Sequence, residues 1–145
     1  MKEKSKRLKV VLDLADRREK LALDNLVKKR TYRDEQKGQL ESLNQYLNQF
    51  MQGAKESIES IRNVSQLASR QQFMDQIGQA IAQQEAVMGV AQTEFERALA
   101  IWTGFHQKTK GMSDLIGRYK VKEEQEREKR NEKQIEDDLT SRRFH

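Results

Sequence analysis

The chain has no cysteine and no proline in its 145 residues. Without cysteine there is no disulfide framework and no thiolate metal site, which is compatible with a reducing compartment. Without proline nothing interrupts a long helix. Apolar residues are also scarce, at 35%, aromatics make up 6%, and mean hydropathy is −0.99. A compact globule carries about 45–50% apolar residues, so a deep core is excluded and a long, surface-rich shape is expected. No apolar run approaches the roughly 20 residues that cross a bilayer. The charged start, Met1 to Arg7, leads into no apolar core of the signal type. The chain therefore reads as soluble and unsecreted.

The apolar residues that are present keep strict register, which separates this polar chain from a disordered one. In the first half Leu8, Leu12, Ala15, Glu19, Ala22, Leu26, Lys29, Arg33, Gln36, Leu40, Leu43, Leu47 and Phe50 follow at alternating steps of four and three. In the second half Met74, Ile77, Ile81, Gln84, Met88, Ala91, Phe95, Ala98, Trp102 and Phe105 do the same. Such steps average 3.5 residues, the spacing of a coiled-coil seam. The pattern predicts an all-α, antiparallel two-helix coiled-coil hairpin with a charged C-terminal helical extension.

One domain over residues 1–145 is expected, with helix 1 at about 5–60, the reversal at about 62–70 and helix 2 at about 70–140. A helix of about 50 residues would reach about 75 Å. Ser69 and Gln72 match a capping box just before the second stripe. Lys29, Arg33 and Gln36 occupy seam positions, where polar groups cost stability, so the middle of helix 1 is expected to pack loosely. The seam continues weakly through Met112, Ile116 and Tyr119. A neighbouring row, Phe73, Ala80, Val87, Ile101, Met112 and Leu115, widens the stripe and suggests more than one contact surface. Gly78, Gly89, Gly104, Gly111 and Gly117 fall inside helix 2, each at about 1 kcal/mol relative to alanine. From Lys120 to Asp138 the chain is nearly all charge. Glu123–Arg127 and Glu126–Arg130 have the spacing of helical ion pairs there.

Net charge is +5 and unevenly placed. Residues 1–37 hold 13 Lys/Arg against 7 Asp/Glu, whereas residues 120–145 hold 8 of each. The basic excess of the first helix favours an acidic partner surface. Nucleic acid is not expected as a partner, because aromatics are not interleaved with the basic residues. Catalysis is not expected either: there is no phosphate loop, and no nucleophile with a base and an orienter. His106 and His145 have no metal-ligand spacing, and Glu136, Asp137 and Asp138 read as a solvated acidic run. No metal, cofactor or small-molecule substrate is expected. Trp102 and Phe105 read as hairpin core rather than partner anchors. Phe73, Ile77, Ala80 and Gln84 form one row at the start of helix 2. It is either hairpin core or, if left uncovered, an apolar docking strip.

Three stretches carry a family resemblance. Arg7 to Glu19 runs leucines into alanine and charges. Gln72 to Gln84 is followed by Ala98 to Trp102. Glu132 to Asp138 precedes Arg142 to Phe144. In this order, over the whole length, they resemble the flagellar type III export protein FliJ family. The resemblance implies a cytoplasmic, non-enzymatic stalk of the export apparatus, associated peripherally with the inner membrane at the flagellar base. Its expected partners are the export ATPase hexamer, whose assembly it would promote, the membrane export gate protein, and export chaperones, which it would escort. Gate docking is implied at Phe73, Ile77, Ala80 and Gln84, the last being a position where relatives can carry histidine. An ATPase-facing segment is implied at Lys6, Arg7, Lys9, Arg17 and Arg18, with the charged C-terminal helix beside it. The equivalent stalk of a virulence-type secretion system and a generic coiled-coil scaffold are the alternatives.

Overall fold

The computed structural model describes residues 2–57 and 63–143, with side chains placed for 4–53 and 63–143. Two helices account for almost all of them: α1, Lys2–Ser57, and α2, Val64–Arg143. No strand and no positive-φ residue occurs among the described residues. The helices pack against each other, so the expected all-α hairpin is the fold.

Every seam residue expected in α1 is buried or half-buried, from Leu8 to Phe50, and so is every one in α2 from Met74 to Phe105. The flanking positions are mostly exposed, the burial signature of a 3.5-residue repeat. The pattern extends beyond Phe105 through Thr109, Met112, Ile116, Tyr119, Glu123 and Glu126. Beyond Glu126 every described residue is exposed, so the charged end of α2 is a solvated helix.

Two compact units can be described separately. The first joins α1 up to Leu23 with α2 from Ile101, and the second spans Asp24–Ala100. In the second unit the tightest positions are Leu26, Ile77, Ala91 and Ala98. Ala91 is only 1% exposed: a small seam residue lets the two backbones approach, and the approach buries it. In the first unit the tightest apolar residue is Ile116, and two polar residues, Ser5 and Thr109, are buried on the seam. No large side chain is fully buried among the described residues, which matches the low apolar content.

Three expectations need correction. The first is the start of α2. It begins at Val64, and the cap is Asn63, whose Oδ1 accepts the Gln66 N–H at 2.8 Å. Asn is among the best N-cap residues, and Ser69 lies inside the second turn. The first turns of α2 escape a periodicity search because Val64 and Leu67 are exposed and belong to no stripe. The expected reversal overlaps residues 58–62, which lie outside the described residues.

The second correction is the middle of α1, which stays closed on polar partners. Lys29 Nζ reaches Glu94 Oε2 at 3.1 Å. The Arg33 guanidinium sits 4.1 Å from the Phe95 ring centroid. Gln84 Nε2 donates to Gln36 Oε1 at 2.8 Å and to its backbone oxygen at 3.1 Å. Lys and Arg lay their methylene stems along the seam while the heads find partners on α2, so burial of the stem survives the charge. The third correction concerns the charged end. Arg127 pairs with Glu124, three residues back, and Arg130 Nε donates to the Glu126 carbonyl at 3.4 Å. Glu123 is unavailable to Arg127 because it occupies a seam position, where its Oε2 accepts from Ser5 at 2.9 Å.

Candidate partner-binding surfaces

The row expected for gate docking faces α1. The Phe73 ring lies 4.8 Å from that of Phe50 and 6.2 Å from that of Tyr46, the latter edge-on. Ile77 is buried, Ala80 is half-buried, and Gln84 is spent on Gln36. The four residues therefore share one stripe, and the stripe is hairpin core. Phe73 and Ala80 keep part of their surface open, because they stand one step outside the central seam. The rest of that outer row diverges. Val87 and Met112 are half-buried, whereas Ile101 and Leu115 are exposed.

Lys6, Arg7, Lys9, Arg17 and Arg18 are all exposed, and they belong to the first unit. Their exposure follows from their register: none falls on a seam step, so each projects from the flanks or back of α1. Lys4, in the same segment, places its ammonium 5.1 Å from the Tyr119 ring centroid. Lys6 shares a shallow surface depression with Lys120, Glu123, Glu124 and Arg127. The basic start of α1 and the charged end of α2 thus form one mixed-charge surface.

Trp102 and Phe105 lie half-buried on the seam, where core residues belong. His106 is exposed, stacks on Trp102 with ring centroids 4.9 Å apart, and brings Nδ1 to 2.6 Å from Glu19 Oε1. Glu19 is thus a seam carboxylate satisfied from across the hairpin, a contact that α1 periodicity alone could not reveal. Trp102 Nε1, Thr109 Oγ1 and Glu123 Oε1 are buried with no hydrogen-bond partner within the chain. Each unsatisfied group of this kind costs about 1–3 kcal/mol. All three lie in the first unit.

Glu136, Asp137 and Asp138 are exposed, and no group of acidic or histidine side chains able to hold a metal occurs among the described residues. No helix among them is long and apolar enough to cross a membrane. His145 lies outside the described residues.

One surface was not foreseen in the sequence. A groove of about 290 Å³ runs along one flank of the first unit, lined by Val11, Leu14, Phe105 and Met112 with Arg18 and Lys108 beside them. Its signal was present as Val11 and Leu14, apolar residues three apart just off the seam.

A family model described as Flagellar FliJ protein matches residues 4–145, nearly the whole chain. The chain belongs to the FliJ family. Its members are flagellar export-related and non-catalytic. No curated protein and no solved structure matches it. Membership accounts for the ordered resemblance of the three stretches, and it associates the chain with the flagellar base.

Proposed function

We propose that this chain is the non-enzymatic stalk of the flagellar type III export apparatus. In this reading it inserts into the export ATPase ring, promotes ring assembly, links the ring to the membrane export gate and escorts export chaperones. The family match over residues 4–145 carries the proposal. The exposed basic positions Lys6, Arg7, Lys9, Arg17 and Arg18 support it as the ATPase-facing segment. So does the solvated end of α2: a surface of exposed charges can engage a ring without fixed apolar contacts. The chain would act in the cytoplasm, peripherally at the inner membrane. Mixing it with its cognate ATPase should raise both hydrolysis and the hexamer fraction in sedimentation. Unchanged values for both would refute the stalk role.

Gate docking at Phe73, Ile77, Ala80 and Gln84 is the finer part of the proposal. The open edges of Phe73 and Ala80 would make first contact, with Ile77 and Gln84 holding the stripe in place. Phe73→Ala should weaken gate binding in a pull-down. It should also cost about 1–3 kcal/mol in thermal unfolding, less than a fully buried phenylalanine because the ring is half-open. Loss of stability with unchanged gate binding would leave Phe73 as core alone.

A further inference from the structure

We propose that the flank groove of the first unit is a docking site for an acidic amphipathic helix of a partner protein. Phe105 and Met112 form its floor between the helices, and Val11 and Leu14 form its α1 wall. Val11 is 46% exposed and Leu14 47%, so the hairpin leaves this apolar surface uncovered. By heptad register, exposed Leu21, Ile101 and Leu115 continue the same flank. An apolar stripe of this width on a polar chain marks a partner surface.

Charge identifies the occupant. The two heptad rows of α1 on this flank hold Lys4, Arg7 and Arg18 between residues 4 and 21, and no Asp or Glu. The matching rows of α2 hold Lys108, Arg118 and Lys122 between residues 101 and 122, again with no acid. The opposite flank mixes Asp13, Asp16 and Glu124 with Lys6, Lys9, Lys20, Lys110, Lys120 and Arg127. Both flanks are basic, but only the one that holds the groove is free of acids, so a carboxylate-bearing ligand meets no like charge there. A complementary ligand interleaves apolar and carboxylate side chains, and laid in a groove between two helices it is itself a helix. A flat lipid surface would reach the crests of such a flank but not Phe105 and Met112 below them.

Gly104 and Gly111 lie one heptad apart in the outer row of α2 on this flank. A Cβ at either would meet nothing within 4 Å, as at the other glycines, but these two alone border the groove. The hairpin has no steric use for their bareness, although each costs about 1 kcal/mol in a helix interior. A third helix resting on the flank would use it, since its backbone could approach α2 closely there.

Calorimetric titration of the full chain tests the proposal. The probe is a synthetic helix of about three heptads with leucine on one stripe and glutamate on both borders. A second peptide carries the same composition in scrambled order. The patterned peptide should bind about tenfold tighter than the scrambled one, a difference of about 1.4 kcal/mol. Arg18→Glu with Lys108→Glu should abolish that advantage. Gly111→Leu should weaken binding by about tenfold while the melting temperature holds or rises. This last variant keeps the test decisive if the charge reversals impair folding. Equal binding of the two peptides would reduce the flank to simple charge attraction and overturn the proposal. Unchanged affinity in Gly111→Leu would place the helix elsewhere and overturn it too. Sedimentation with phosphatidylglycerol vesicles in the absence of any peptide binding would make the flank a lipid surface instead.

Discussion

At the scale of single residues, the seam tolerates polarity only where a partner is within reach. Gln36 has Gln84, Lys29 has Glu94, and Glu19 has His106. Trp102 Nε1 and Thr109 Oγ1 are exceptions. Thr109 is buried on the seam and its hydroxyl has no partner within the chain. Thr109→Val removes that hydroxyl at nearly constant shape, so stability should rise by about 1 kcal/mol in chemical denaturation. A fall would show that the hydroxyl is satisfied in solution. The seam residues themselves were legible in the sequence, because a 3.5-residue repeat marks burial whether the position holds Leu47 or Arg33. Their partners were not. A one-dimensional period says that Lys29 faces α2, but only the pairing of the helices says that it faces Glu94. The same blindness assigned Arg127 to Glu123, when Glu123 was already held by Ser5 across the hairpin.

At the scale of elements, α1 and α2 are set by the absence of proline and bounded by local chemistry. Asn63 is the clearest boundary, satisfying the Gln66 N–H at the start of α2. Asn63→Ala should cost about 1 kcal/mol in thermal unfolding, with the loss of helicity confined to the first turns of α2. No loss would mean that this end of α2 needs no side-chain cap. The sequence hid this boundary because a cap is a single residue, and a chance Ser69–Gln72 pair sat closer to the apolar stripe. Pairing of the elements is fixed by the polar rungs. A slip of one heptad would set Lys29 against Val87 and Gln36 against Ile77. A slip in the other direction would set Gln36 against Ala91. Each slip strands a polar group on an apolar one at a buried position, at about 1–3 kcal/mol per group.

At the scale of the whole molecule, the seam is filled by the chain itself, so the melting temperature should be independent of protein concentration. A rise with concentration would indicate a dimer in place of the hairpin. The family and the hairpin were both legible before the structure, since order and period survive in one dimension. The flank groove was not, because it needs Val11 and Met112, about a hundred residues apart, to be brought side by side. One asymmetry remains to be put to use. After Glu126 every described residue of α2 is exposed, and the segment carries Arg127, Lys129, Arg130, Lys133, Arg142 and Arg143. Only the helix's own backbone hydrogen bonds shelter these peptide bonds, and such segments open at little free-energy cost. Trypsin should clip there first, at a rate set by the open population. Any partner that covers this stretch will slow the clipping. The chain thus carries its own footprinting tag, and a gel band can report when its charged end is occupied.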